Sequence, residues 1–403
     1  MSDKLHLPIP LFDTLENLDG GQIESIEAKL KDYEYTLAFL KSYQGSQGTF
    51  NAYRREVERL LHWAWLIARK SVIELRRADI EEYISFCQSP PHEWIGTKKT
   101  PRFIIKEGKR IPNSDWRPFV ATISKAAYRK GQKPDIKDYE LSSTAIKDIS
   151  SILSSFYNFL IQEDYTEVNP ILHIRQKSKY VRKTQGKPKI RRLSELQWGY
   201  VIETAEEMAA KDNNHHRTLF IMTALYAMYL RISELAASDR WTPKMCDFYR
   251  DHDGLWWFTT VGKGNKERQI SVSDAMISAL KKYRSSLGLT PLPTPADKTP
   301  LLSKQKGKGA ITSTTHIRKI VQYCFDRAIN RLQKDKFNEN ADALLEATVH
   351  WLRHTGISED VKHRPREHVR EDAGHSSGAI TDKYIDVELR ARHASAKGKS
   401  IKI

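Results

Sequence analysis

The chain has 403 residues, 39% hydrophobic and 29% charged, and Lys and Arg outnumber Asp and Glu by 66 to 50, a formal net charge of +16. That length suits two or three domains with sizeable cores, and the cationic surplus points to a polyanion, most often nucleic acid. Three scattered cysteines without CxxC spacing (Cys87, Cys246, Cys324) argue against a disulfide framework or zinc ribbon, while the absence of a signal-peptide start and of a long apolar run argues against secretion and membrane insertion, so a cytoplasmic, nucleoid-associated location is expected.

Residues 1–32 are acidic and polar and are expected to form a loosely ordered or contact-making extension. Helical spacing begins at Tyr33. Thr49 is the expected N-cap of a helix carrying Tyr53, Val57, Leu60, Leu61, Trp63 and Trp65. Asp79 and Glu82 resemble a capping box for a helix whose apolar face holds Ile80, Tyr83, Ile84 and Cys87. Prolines break the rhythm over 89–140, an insertion with ten Lys or Arg against two acids between Lys98 and Lys130. Lys98, Lys99, Arg102, Lys109, Arg110 and Arg117, interleaved with Phe103, Trp116 and Phe119 and preceded by Trp94, suit a loop or hairpin on a nucleic-acid backbone; a solvated insertion with its aromatics packed on the parent domain is an equal alternative. A helix with Ile146, Ile149, Leu153, Phe156 and Leu160 on one face closes this region, which spans 33–172.

Residues 173–192 carry nine Lys or Arg and no acid, and form the expected interdomain linker. Lys177, Lys179, Arg182, Lys183, Lys187 and Lys189 are expected to lie against phosphates. The second domain, 193–403, opens with Ser194 as N-cap and continues with a helical run over Leu219–Leu235. Residues 255–261 and 267–272 read as two strands joined by a Gly-rich turn at 262–265. A basic loop at 304–308 precedes helices near 317–329 and 342–349.

Five short stretches carry chemistry: Leu230-Arg231-Ile232-Ser233-Glu234-Leu235, Val261-Gly262-Lys263-Gly264-Asn265-Lys266-Glu267-Arg268, His350-Trp351-Leu352-Arg353-His354-Thr355, Ala373-Gly374-His375-Ser376-Ser377 and Tyr384. Arg231 and Arg353 offer planar forks for nonbridging phosphate oxygens. Tyr384 offers a phenol nucleophile, which needs nearby positive charge or a base. Lys263, at a hairpin tip, suits a general acid, and His350 and His375 can orient oxygens or shuttle protons. His350 and His354 have the spacing of a zinc helix, but Trp351 stands where a metalloprotease has glutamate, and no GxxxxGK[ST] occurs, so metal- and nucleotide-driven chemistry is not indicated.

In this order the motifs resemble the tyrosine recombinases, the phage integrase family, with Xer-like catalytic boxes. The resemblance covers 195–390 firmly and 33–170 loosely. It implies a mainly α fold with a small antiparallel β-sheet: a helical, SAM-like core-binding domain followed by a catalytic domain of the DNA breaking-rejoining enzyme fold, clamped as a C on duplex DNA. It also implies that Arg231 and Arg353 hold the scissile phosphate, that Tyr384 forms a 3′-phosphotyrosyl link, that Lys263 protonates the 5′ oxygen, that His350 and His375 assist, and that Glu234 buttresses Arg231. No cofactor or metal is implied. The implied partners are double-stranded DNA sites, three further protomers in a synapse, a neighbour that receives the tail 385–403, and accessory or sister recombinases; no membrane is involved.

The chain departs from the family pattern at Tyr229, often glycine, at Ala373, usually leucine, and in the large insertion. The insertion and the N-terminal extension favour the integrase or transposase of a mobile element over a minimal chromosome resolvase. A DNA-binding relative without catalysis and a type IB topoisomerase-like relaxing enzyme are the alternatives.

Overall fold

A computed structural model of the chain describes residues 7–20, 27–43, 45–175, 191–262, 264–375, 377–382, 384 and 397. Lys263, the linker residues Lys177, Lys179, Arg182, Lys183, Lys187 and Lys189, and nearly all of the tail 385–403 lie outside the described residues. The chain divides at residue 187 into two compact units. The fold is mainly helical with small sheets. No described helix is long and apolar enough to cross a membrane.

The N-terminal unit holds α1 (Glu27–Ser42), α2 (Gln47–Trp63), α3 (Arg77–Gln88), the short α4 (Lys125–Arg129), α5 (Ser143–Gln162) and α6 (Leu172–Arg175). The apolar stripes read from the sequence face its core: Val57, Leu60 and Leu61 on α2, Ile80, Tyr83, Ile84 and Cys87 on α3, and Ile146, Ile149, Leu153, Phe156 and Leu160 on α5 are all buried. Two caps differ from expectation. Ser46, in extended backbone, caps α2 by accepting from the amide of Thr49 at 3.2 Å, so Thr49 lies inside the first turn. On α3, Asp79 is the third helical residue and reaches back to the amide of Arg76 at 2.7 Å.

Residues 9–12, expected as part of a loose extension, are built into this unit through α2. The buried Glu58 accepts from the amides of Leu11 at 2.5 Å and Phe12 at 3.2 Å, and Leu11 and Phe12 are themselves buried. Its other oxygen pairs with Arg102, whose guanidinium stacks on Trp116 at 4.6 Å and donates to the carbonyl of Phe12 at 3.1 Å. Arg102, expected among the nucleic-acid contacts, is therefore an internal cation.

The rest of the insertion packs the same way. β1 (Ile95–Gly96) pairs in parallel with β4 (Phe119–Val120), while β2 (Phe103–Lys106) and β3 (Lys109–Pro112) form an antiparallel hairpin that turns at Glu107 and Gly108. Trp94, Phe103, Trp116 and Phe119 are buried, so the aromatics pack on the parent domain. Arg110 is paired with Asp13, and Arg117 donates to the carbonyls of Ser114 and Trp116 at 2.7 Å each. Lys98, Lys99 and Lys109 remain exposed.

In the C-terminal unit, α7 (Glu195–Lys211), capped by Ser194, is followed by α8 (His216–Ala227) and α9 (Ile232–Leu235). The continuous helix expected over 219–235 breaks between α8 and α9, where Tyr229 takes a left-handed backbone with φ of 50°. A three-stranded antiparallel sheet follows, β5 (Phe248–Arg250), β6 (Trp256–Val261) and β7 (Glu267–Ser271), in that order. β5 is too short to show a periodicity. Next come α10 (Asp274–Ser286), α11 (Thr314–Lys334), α12 (Asn338–Leu344), α13 (Val349–Asp360), α14 (Arg366–Ala373) and α15 (Gly378–Asp382).

The core of this unit gathers Phe220 and Leu225 of α8, Phe258 and Ile270 of the sheet, Val321 and Phe325 of α11, and Leu352 of α13. α13 presses on the end of α8 closely enough that a Cβ on Gly356 would sit 2.1 Å from the carbonyl oxygen of Tyr226. That approach brings the His350–His354 segment against the break that carries Arg231.

Glu58 joins three separate stretches of the N-terminal unit, and its loss leaves a half-buried guanidinium without its carboxylate and two buried amides without their acceptor. Glu58→Ala should lower stability by about 3 kcal/mol and expose the stretch around residues 9–12 to protease, as read by urea unfolding and limited proteolysis. Wild-type stability and cleavage would contradict this packing.

Candidate active site

The centre is organised by a buried carboxylate. Arg231 caps α9 in extended backbone, and Glu234, one turn on and 1% exposed, returns to accept from the Arg231 amide at 2.8 Å and its Nη1 at 3.0 Å. Arg268 of β7 closes the same carboxylate from the other side with parallel bonds of 2.7 and 2.8 Å. Burial alone would raise the pKa of Glu234, but the bonds and charges of Arg268 and Arg231 outweigh it, and the net shift is downward. Glu234 is thus charged at neutral pH and holds two guanidiniums, where one was expected.

Arg353 of α13 is buried and is held by main-chain oxygens. Its Nη1 donates to the carbonyl of Tyr229 and its Nη2 to that of Ala373 at 2.5 Å. Burial and the neighbouring Arg231 pull its pKa down to about 9, which leaves it cationic at pH 7. The two positions where the chain departs from the family pattern are therefore those whose main-chain oxygens position Arg353. A carbonyl is available from any residue, so neither departure removes the interaction.

The histidines surround these cations. Burial, then the charges of Arg353 and Arg231, lower His350, and the same causes with Arg268 push His375 down to about 4. His375 Nδ1 lies 2.9 Å from Thr381 Oγ1, and the carbonyl of Thr381 accepts from the amide of Tyr384 at 2.9 Å. This short turn stacks the Tyr384 ring on His375, with ring centres 5.8 Å apart. The Tyr384 side chain is buried. Its hydroxyl lies 2.5 Å from Nδ1 of His354, and burial raises its pKa despite the opposing charges of Arg353 and Arg231, so it carries its proton at neutral pH.

The structure therefore brings together Arg231, Glu234, His350, Arg353, His375 and Tyr384. Lys263 lies outside the described residues. The glycine before it follows β6 beside the centre: a Cβ on Gly262 would lie 3.2 Å from Glu234 Oε1 and 3.6 Å from Arg231 Nη1.

Sequence reasoning missed a second tier. Asp372 receives Ser271 Oγ at 2.6 Å and Arg364 Nη2 at 2.5 Å, and its main-chain oxygen receives Arg268 Nε at 3.1 Å. Arg364 also bonds Asp360 at 3.1 Å and the Tyr229 hydroxyl at 2.9 Å, and that hydroxyl pairs with Asp360. This chain of alternating charges ties the Tyr229 turn, α13, α14 and β7 around Arg353. Arg268 stood within the glycine-lysine motif, and its opposite charge to Glu234 was the available signal. Asp360 and Arg364 stand four residues apart, a spacing that was an available signal, whereas the bonds of Arg364 to Tyr229 and of Asp372 to Ser271 join stretches distant in sequence.

A helical unit with a three-stranded sheet that gathers an arginine, a His-x-x-Arg pair, a further histidine and a tyrosine defines a tyrosine-recombinase catalytic domain. Residues 192–390 match the phage integrase family, and this C-terminal domain belongs to it. Among relatives, it is 32% identical over 149 residues to tyrosine recombinase XerD of Rickettsia prowazekii, covering 36% of this chain and 43% of that protein. It is 25% identical over 253 residues to XerD of Oceanobacillus iheyensis, covering 62% and 74%. The chain thus spans less than half the length of the Rickettsia relatives it matches, XerD of Rickettsia conorii included at 46%.

Two solved structures are similar in fold. One is the site-specific recombinase XerH bound to a palindromic difH substrate, with a TM-score of 0.52, 15% identity and coverage of 95% of this chain and 92% of that one. The other is the Tn1549 transposon integrase in complex with a circular intermediate DNA, at 0.51, 15%, 92% and 99%.

Because the folded pKa of Glu234 lies below its ordinary value, its contribution to stability is complete above about pH 4.5 and is lost as pH falls through the folded value. Glu234→Gln should therefore cost about 3 kcal/mol at pH 7, with the gap to wild type closing below about pH 4.5. Urea unfolding across that range measures it; a gap that does not change with pH would contradict the clamp.

Proposed function

We propose that this chain is a site-specific recombinase that cuts and rejoins duplex DNA through a 3′-phosphotyrosyl intermediate, as the integrase or transposase of a mobile element. The observation that carries this reading is a protonated, buried phenol in one pocket with two guanidiniums, one of them oriented by main-chain oxygens and left with its full charge. In the proposed step, Arg231 and Arg353 bind the nonbridging oxygens of a phosphate, and His350 and His375 complete the cradle. The Tyr384 oxygen bonds to phosphorus as the bond to the 5′ oxygen breaks. The phenol releases its proton, and Lys263 supplies one to the departing oxygen. Attack by a 5′-hydroxyl reverses the sequence and reseals the strand, so the energy of the phosphodiester is kept in the intermediate.

Phosphate arrival answers the electrostatics of the site. Burial and, after it, charge repulsion hold His350 and His375 neutral, and an anion between them and the arginines relieves the repulsion. The exposed Lys98, Lys99 and Lys109 and the linker residues Lys177, Lys179, Arg182, Lys183, Lys187 and Lys189 are proposed to touch backbone phosphates, with other protomers as partners in a tetrameric synapse and the tail 385–403 docking on a neighbour. The folded insertion and the packed N-terminal segment support the mobile-element assignment, since both add to a minimal recombinase.

A duplex carrying a site selected from a randomised library, nicked beside the cleavage point so that the short product diffuses away, should give a covalent protein–DNA adduct with the wild type and none with Tyr384→Phe. An adduct from the variant, or none from the wild type on any selected site, would refute the reading. Replacing Lys177, Lys179 and Arg182 with alanine should weaken binding on all sequences and reduce the slope of log affinity against log salt by about 0.9 for each phosphate no longer neutralised; an unchanged slope would remove the linker from the interface.

A further inference from the structure

The proposed reaction leaves one proton without a destination. Tyr384 begins protonated, and bond formation to phosphorus makes its oxygen far more acidic. Lys263 and the leaving oxygen account for a different proton, on the far side of the phosphorus. Something within reach of the phenol must accept.

We infer that His354 is a catalytic residue, the general base that takes the phenolic proton of Tyr384 as the phenol attacks. This role depends on Tyr384 being the nucleophile and gives a function to a residue so far considered only as a metal ligand. Contact supports it first. The Tyr384 hydroxyl lies 2.5 Å from His354 Nδ1. His375 is turned to Thr381 through its own Nδ1 and meets Tyr384 ring to ring. His350 presents its ring to His354 edge-on at 4.5 Å. Of these histidines, His354 is the one hydrogen-bonded to the nucleophilic oxygen among the described residues.

Protonation state supports it second. A phenol that keeps its proton donates it, so Nδ1 of His354 accepts and the ring is the neutral tautomer with its proton on Nε2. The groups facing His354 favour that form. Burial comes first, followed by His350 and Arg353 on its own helix and His375 on the segment after α14, and together they push its pKa down to about 4. A base that weak cannot ionise the phenol beforehand. When a phosphate anion neutralises the arginines, the repulsion that depresses His354 falls, while attack acidifies the phenol. Transfer then becomes favourable during bond formation, as general-base catalysis requires. The balance is simple: the O–H bond of Tyr384 breaks, Nδ1–H of His354 and O–P form, and P–O5′ breaks with a proton from the acid. On resealing, His354 returns its proton to the departing phenolate.

His354→Asn keeps an acceptor near the Nδ1 position but cannot take the proton, and His354→Ala leaves space for free imidazole. On the nicked duplex, both should form adduct about 10²–10³-fold more slowly than wild type while binding DNA equally, and imidazole should accelerate His354→Ala. A duplex with sulfur in place of the 5′ bridging oxygen separates base from acid, because a thiolate leaves without a proton. Sulfur should restore Lys263→Ala but not His354→Asn. Wild-type rates for His354→Asn, or its restoration by sulfur, would overturn the inference. Adduct from Tyr384→Phe would instead overturn the reading beneath it. Should either variant fail to fold, nitrogen NMR of the wild-type full chain decides: an unprotonated Nδ1 on His354 agrees, and a protonated one overturns the assignment.

Discussion

The C-terminal unit is organised around the need to hold guanidiniums close together in a partly desolvated pocket before any anion arrives. Repulsion and desolvation both oppose such a cluster. The chain uses two devices. Arg231 and Arg268 share the single carboxylate of Glu234, so one negative charge restrains two positive ones. Arg353 is held by the main-chain oxygens of Tyr229 and Ala373, which orient it without neutralising it. A full set of carboxylate partners would stabilise the free protein better and leave nothing to attract a phosphate. In the proposed function, that surplus charge is what binds the phosphate.

Every neighbouring feature follows from keeping that arrangement rigid. The left-handed turn at Tyr229 ends α8 and aims its carbonyl at Arg353, and the network of Asp360, Arg364 and Asp372 fixes the turn by its hydroxyl. Gly374, left-handed with φ of 62°, ends α14 so that Ala373 can face Arg353; a Cβ there would lie 2.8 Å from Arg268 Cδ. Burial, reinforced by the same positive charges, keeps three histidines neutral. In the proposed reaction, the pocket is preset to gain protons and to engage its nucleophile only when phosphate enters.

Arg231, Glu234, His350, Arg353, His375 and Tyr384, which the structure brings together, were singled out in the sequence, because the phosphate binding and nucleophilic attack proposed for them admit few side-chain types and these stood in an ordered set. Helices α2, α3, α5 and α11 were legible through their apolar stripes, whereas α10, α13 and α14 were not read from the sequence, and the helix expected near 342–349 ends as α12 at Leu344 before α13 begins at Val349. What stayed hidden depends on tertiary neighbours. Asp372 and Arg364 bond each other across α14 and reach Ser271 and Tyr229 in distant stretches of the chain. The positions of Tyr229 and Ala373 act through main-chain oxygens, which no side-chain pattern reveals. His354 carried no role in the sequence once the metal-pair reading with His350 was set aside, and only the Tyr384 turn placed a phenol on it. In the N-terminal unit, positive charge alone did not identify the internally paired cations: the half-buried Arg102 and the exposed Arg110 are paired with Glu58 and Asp13, while Lys98, Lys99 and Lys109 are exposed.

The most direct measurement is to digest the covalent adduct with trypsin and locate the added nucleotide by mass spectrometry. The tryptic peptide that begins at Tyr384 should carry a phosphate esterified to the 3′ end of the cleaved strand, on the tyrosine itself. Nucleotide mass on any other residue, or a link through the 5′ end, would contradict the convergence of Arg231, Arg353 and Tyr384 on one phosphorus.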